Sequence, residues 1–193
     1  MKERPILFSG AMVHAILQGH KTQTRRVVKS KHSPFTDWQH WQPALGMERG
    51  FYFINENGHH HIKCPYGQTG DRLWVRETWA ASEHWDSDAG RTVRVLSYKA
   101  TSKNPSFKGW KPSIHMRRAD SRITLEITGV RVERLQDIRE EDARAEGVTI
   151  RSETQYDGIA KDYFFALWES VHGLHSWAKN PWVWVISFKR VEP

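Results

Sequence analysis

Residues 16–28 read Ile16-Leu17-Gln18-Gly19-His20-Lys21-Thr22-Gln23-Thr24-Arg25-Arg26-Val27-Val28. The stretch holds the end of one element and the start of another. Upstream, Ser9 stands before Gly10 to Gln18, and Gly19 follows. A Ser before and a Gly after are the capping signals of a short helix. Met12, Ala15, Ile16 and Leu17 give that helix an apolar face. Downstream, the Thr and Val content predicts a turn at Lys21 and Thr22 and then a strand. Side chains of an extended chain alternate, so Thr22, Thr24 and Arg26 share one face and Gln23 and Arg25 the other. A face of hydroxyls and cations either stays in water as a basic strand or needs partners once buried. Both readings stay open at this point.

Outward from this junction the elements are mixed. Lys2 and Arg4 precede an apolar stretch from Pro5 to Leu17, read as a helix of the fold. Ser9, Gly10 and His14 interrupt it, and no small-x-small cleavage site follows, so it does not read as a secretory leader. Gly70-Asp71 is a turn signal, and Arg72 to Glu77 reads as a strand. Ser121 to Leu135 alternates, with Ile123, Leu125 and Ile127 on one face. Gly129 breaks the phase as a β-bulge would, and Val130 and Val132 resume it. Asp137 to Gly147 reads as a short helix with acidic residues early and Gly147 as its stop. Asp157 to Gly173 is a longer one, with Ile159, Tyr163, Phe164, Leu167, Trp168 and Val171 at helical spacing. Trp182 to Val191 is a strand with apolar residues on both faces, which predicts a central position.

Two stretches stand apart as insertions, at about 30–66 and 82–120. The first contains a predicted hairpin, Phe51 to Ile54 and His59 to Ile62 about the turn Asn57-Gly58. The second contains a predicted strand, Thr92 to Lys99, and a loop rich in Lys, Pro and Trp from Lys103 to Pro112. Strands and helices in no regular alternation argue for α+β over a doubly wound parallel sheet. The expected form is one domain over 1–193, a small barrel with helices at its sides.

Composition narrows the function. The chain has 193 residues, ten Trp and a net charge of +7. That aromatic content excludes a disordered tail. The basic balance suggests a nucleic-acid or nucleotide partner, with simple solubility as the alternative. A single cysteine, Cys64, excludes an internal disulfide and fits a reducing, cytoplasmic location. No run approaches the roughly 18 apolar residues of a spanning helix, so no membrane partner is expected. P-loop, dinucleotide, zincin and nucleophile-elbow motifs do not occur. His59, His60, His61 and Cys64 suggest zinc only weakly, because adjacent strand residues face opposite ways. An exposed polar strand is the preferred reading there, with no metal and no cofactor expected.

The pattern Ile16-Leu17-x-Gly19-x-Lys21-Thr22-x-Thr24-x-Arg26 resembles the opening of ASCH domains, a branch of the PUA-like superfamily. Gly70-Asp71-Arg72-Leu73-Trp74-Val75 looks like that family's turn into a core strand. Ile123 to Val132, the helix Glu140 to Glu146 with Gly147, and the closing strand Trp182 to Arg190 follow in the family's order. The whole chain also looks like phage- and prophage-type ASCH proteins of enteric bacteria. The likeness covers about 100 residues and leaves both insertions unmatched.

The resemblance implies a PUA-like β-barrel whose cleft binds RNA, nucleosides or modified bases. One branch of the family removes the acetyl group of N4-acetylcytidine with a Lys, a Thr and a Glu. These fall on Lys21, Thr24 and Glu146, with Glu140 and Glu141 as neighbours in a short alignment. The resemblance also implies substrate-binding roles for Thr22, Arg25, Arg26, Trp74, Arg76 and Glu77. Ribonuclease activity, and a phage accessory protein that binds DNA or a host protein without chemistry, are its other implications. The residue types suit amide hydrolysis: a Thr hydroxyl needs a base, and a desolvated Lys can serve as one. The minimal amidohydrolases lack the insertions. There, Trp38, Trp41, Trp85 and Trp110 with Lys103, Lys108, Lys111, Arg117 and Arg118 add aromatic and basic surface, suited to a polymer groove or to packing on the barrel. Trp74, Trp168, Trp182 and Trp184 are expected in the core.

Overall fold

The structure, a computed structural model, describes residues 1–29, 40–43, 51–55, 58–148 and 159–191, with the backbone alone at 40–43, 51–55, 58–60 and 159. It is a mixed α+β protein with a mostly sheet core. In chain order the strands and helices are β1 Glu3–Leu7, α1 Gly10–Leu17, β2 Gln23–Val27, β3 His40–Pro43, β4 Phe51–Asn55, β5 Gly58–Ile62, β6 Arg72–Arg76, β7 Trp79–Asp86, β8 Arg91–Tyr98, β9 Thr124–Arg134, α2 Glu140–Ala145, α3 Ile159–His172 and β10 Trp182–Val191.

Five strands form the main sheet in the order β1-β6-β9-β10-β2. β10 lies between β9 and β2 and is antiparallel to both. That position explains its two apolar faces. Trp184, Ile186 and Phe188 enter the main core with Ile6, Leu73, Val75, Leu125, Ile127, Val13 and Ile16. Val183 and Val185 lie on the opposite face, in a second cluster with Ala143 of α2 and Ala160, Phe164 and Trp168 of α3. The predicted bulge falls where expected. Ser187 pairs with Gly129 and Phe188 with Ile127, so Thr128 is the extra residue of β9.

The N-terminus differs from the sequence reading. Glu3–Leu7 is a strand, not part of a helix, and it pairs in parallel with β6. Pro5 is tolerated because β1 has a neighbour on one side only. α1 starts after Ser9, whose Oγ accepts the Met12 N–H at 3.4 Å. Gly19, at φ +77°, ends it in the left-handed region.

β1 and β2, the edges of the sheet, form no strand pair with each other among the described residues. They are drawn together by a side chain: Arg26 on β2 donates to the Leu7 carbonyl of β1 at 2.9 Å. Each insertion builds a sheet of its own, β3-β4-β5 and β7-β8. The second begins at Trp79, earlier than the sequence indicated, because β7 pairs with β8 along its whole length. Asn57 and Trp38 lie outside the described residues. Among the described residues, no helix is long and apolar enough to cross a membrane.

Candidate functional site

Lys21 and Glu146 are 125 residues apart in the chain and meet in space. Lys21 Nζ donates to Glu146 Oε2 at 2.6 Å and to the Glu146 carbonyl at 2.7 Å. Backbone contacts set this approach. Thr22 N–H donates to the Ala145 carbonyl at 2.8 Å, and Lys21 and Glu146 form an isolated antiparallel bridge. The approach also needs a glycine. Gly147 has φ +82°, and a Cβ there would stand 2.7 Å from Ala15 Cβ and 2.8 Å from Lys21 Cβ. No side chain fits that gap, so Gly147 both ends α2 and admits Lys21 beside it.

Both partners are buried, Lys21 at 2% and Glu146 at 4% exposure. Burial disfavours the ammonium and pulls the Lys21 pKa below its ordinary value, although Glu146 acts in the opposite sense. Lys21 Nζ also lies 5.6 Å from the Phe8 ring centroid, and the Arg26 guanidinium 5.4 Å from it. Arg26 NH1 donates to Thr24 Oγ1 at 3.0 Å. Lys21 and Arg26 thus meet at Phe8, and Arg26 holds Thr24. Thr24 has no exposed surface, whereas Arg26 is half-buried and Thr22 exposed. The expected sharing of one face by Thr22, Thr24 and Arg26 holds for the last two, because β2 begins only at Gln23.

The other face of β2 is a buried ion network. Arg25 is 2% exposed. Its Nε and NH2 donate to Glu133 Oε1 at 3.0 and 2.6 Å, and its NH1 donates to Glu146 Oε1 at 3.3 Å. NH2 also lies 3.3 Å from Asp142 Oδ2. Arg131 donates to Glu133 Oε2 and Asp142 Oδ2, each at 2.9 Å. Three cations, Lys21, Arg25 and Arg131, therefore face three carboxylates, Glu133, Asp142 and Glu146. Burial raises the Asp142 pKa, but Arg131 and Arg25 outweigh it and leave the carboxyl below its ordinary value. The solvated-strand reading of this segment is replaced by a buried one, since every cation on this face has a carboxylate. The Glu146 carboxylate is the hinge of the arrangement, with one oxygen on Lys21 and the other on Arg25.

Glu133, Asp142 and Arg131 were not singled out from sequence. Two signals point to them. Arg131 and Glu133 alternate with the apolar Val130 and Val132 on β9, and Asp142 stands four residues before Glu146, on the same helical face.

The remaining expected site residues lie elsewhere. Trp74 and Arg76 alternate with Leu73 and Val75, which line the core, so they project from the opposite face of β6. There the Arg76 guanidinium covers the Trp74 ring at 4.7 Å. Both oxygens of Glu77 are engaged by Arg122, at 2.8 and 2.9 Å. The structure does not bring these three to Lys21. Of the tryptophans expected in the core, Trp74, Trp168 and Trp184 are buried and Trp182 is partly buried. Trp85 is 69% exposed. Burial raises the Cys64 thiol to about 11, which keeps it protonated and unreactive at neutral pH. His59 and His60 have no described side chains; no metal-ligating cluster occurs among the described residues.

Compared with known proteins, the chain matches no family model, no curated protein and no solved structure.

Proposed function

We propose that this protein binds RNA or a modified nucleoside in a PUA-like barrel and hydrolyses an amide on the bound base. The observation that carries this reading is the Lys21–Glu146 contact at 2.6 Å. The ASCH resemblance assigns a base to one residue and its carboxylate to the other before their proximity is known. Phe8 and Arg26 beside Lys21, with Thr24 on Arg26, give the reaction its other parts.

In the proposed reaction, neutral Lys21 takes the proton of Thr24 Oγ1 as that oxygen attacks the amide carbonyl. Burial favours the neutral amine this step requires. Glu146 orients the Lys21 nitrogen and stabilises it once protonated. The Arg26 guanidinium, already on Thr24 Oγ1, stabilises the charge on the carbonyl oxygen. The C–N bond breaks as Lys21 returns the proton to the leaving amine. Water then hydrolyses the Thr24 ester. Arg26 is the half-buried member of the group, so the substrate enters by displacing it from Thr24.

The full burial of Thr24 supports a second reading, a binder without chemistry in which the ion network only clamps α2 to β2. Lys21→Ala separates the two. Turnover of N4-acetylcytidine should fall by about 10²-fold or more in the variant, as expected for a lost general base. Equal turnover by parent and variant, or an inert parent, removes the hydrolytic reading.

A further inference from the structure

A second concave site lies in the β7-β8 insertion, away from Lys21. The segment after β8 is pinned at both ends to the start of β7. Lys99 N–H donates to the Thr78 carbonyl at 2.9 Å, and Lys111 and Trp79 exchange backbone bonds of 2.7 and 3.2 Å. The intervening residues arch beside the hairpin and border an open pocket of about 230 Å³. Its floor is Ala80 and Ala81. This is below the roughly 300–1,000 Å³ of pockets for drug-sized ligands, and suits one flat ring.

The lining is that of a site for such a ring. Phe107 is 51% exposed and meets Trp110 edge to face at 5.7 Å. Trp110 is fixed by its Nε1–H bond to the Pro105 carbonyl at 3.1 Å. Gly109 holds Phe107 in place: a Cβ at Gly109 would stand 2.3 Å from the Phe107 ring. Polar groups complete the rim. Ser82 and Ser102 are hydrogen-bonded locally, whereas the Ser97 hydroxyl and the Asn104 side-chain amide have no partner among the described residues. The segment that borders the pocket carries charge of one sign. From Ser97 to Arg118 the chain carries Lys99, Lys103, Lys108, Lys111, Arg117 and Arg118 and no Asp or Glu.

We infer that this pocket takes an unpaired base of single-stranded RNA, stacked on Phe107, with Lys103 and Lys108 on the flanking phosphates. An aromatic face reads any base without regard to sequence, an amide and hydroxyls bond its edge, and exposed cations follow the backbone. A duplex offers no free base face and fits the pocket poorly. The inference rests on the nucleobase reading above and extends it from a nucleoside to a polymer.

The test is the affinity of the full chain for a short labelled single-stranded RNA, by fluorescence anisotropy at low salt. Phe107→Ala should weaken binding by about 5- to 150-fold. Gly109→Ala should weaken it in the same direction by displacing the ring. Parent-like affinity in Phe107→Ala, or tighter binding of a duplex of the same sequence, overturns the inference. Turnover of free N4-acetylcytidine is read on the same proteins. Parent-like RNA affinity with nucleoside turnover intact removes the pocket alone. Phe107-dependent RNA binding by a protein inert toward the nucleoside removes the hydrolytic reading alone and supports the pocket.

Discussion

Two regions of this chain concentrate cations and treat them oppositely. At β2, Lys21 and Arg25 are almost fully buried, and each has a carboxylate within 3.5 Å. Around the β7-β8 insertion, Lys103 and Lys108 stand in solvent and make no ion pair among the described residues. The residue types are the same; the surroundings decide the physics. A buried cation costs several kcal/mol of desolvation, about as much as its partners return, so its position is dictated by the fold and removing one member harms the rest. An exposed cation contributes little to stability and leaves its charge free for a ligand. The first arrangement suits a pKa that must be shifted, the second a surface that must attract.

The largest expected effect tests the buried side of that contrast. Arg25→Ala leaves Glu133 Oε1 and Glu146 Oε1 without the guanidinium they accept from and should cost about 3–5 kcal/mol. Urea denaturation reads it as a lower midpoint at unchanged slope. A loss below 1 kcal/mol would mean that the network is solvated in practice and that the two regions differ less than their burial indicates.

A smaller loss is expected from the glycine beside the site. Gly147→Ala places a Cβ where Lys21 Cβ and Ala15 Cβ already stand, at a backbone angle of +82°. Left-handed strain and the clash together should cost about 2–3 kcal/mol. Because the clash falls on Lys21, nucleoside turnover should fall further than stability does. A variant that loses stability but keeps its turnover would separate the Lys21 position from the chemistry.

Asp71 offers an intermediate case, a buried carboxylate whose Arg4 partner is 31% exposed. Burial pushes its pKa up, but the N–H groups of Lys2 and Gln68 and the Arg4 guanidinium outweigh this and hold it below the ordinary value. The folded state therefore binds fewer protons than the unfolded chain near pH 4. The stability from this group is complete above the ordinary carboxylate value of about 3.9 and lost as pH falls below it. Asp71→Asn should lose about 1–2 kcal/mol at neutral pH and flatten the acid limb of the stability curve. An unchanged acid limb would remove Asp71 from the account.

Where the sequence was legible, the signal was local. Ser9 and Gly19 bracket α1, and Gly129 marks the bulge of β9, because capping and phase breaks are written in adjacent residues. β1 was not legible. Glu3, Arg4 and Pro5 are poor strand formers, and the strand exists through its pairing with β6 nearly 70 residues later. β7 is similar, since Ala80, Ala81 and Glu83 carry little strand propensity and β8 supplies the pairing. At the site, Lys21 and Glu146 came from the resemblance alone. Their neighbours Glu133 and Asp142 needed the three-dimensional register of β9 and α2. The pairing of Glu77 with Arg122 was likewise invisible, because it joins residues 45 apart.

The smallest expected effect completes the contrast from the exposed side. Lys103→Ala with Lys108→Ala removes two cations that make no ion pair among the described residues. Stability should stay within about 0.5 kcal/mol of the parent, as for other surface substitutions. If the proposed pocket holds RNA, the change falls on that binding. Each cation on a phosphate of a single strand contributes about 0.7 to the slope of log affinity against log salt. Loss of both should make that slope shallower by about 1.4, with weaker affinity at low salt and convergence with the parent at high salt. Phe107→Ala, which removes no charge, should lower affinity at every salt concentration and leave the slope as it is. Two variants of one pocket then divide its binding into a stacking part and a phosphate part. Identical slopes in the parent and the double variant would place those lysines among cations that only keep the protein in solution.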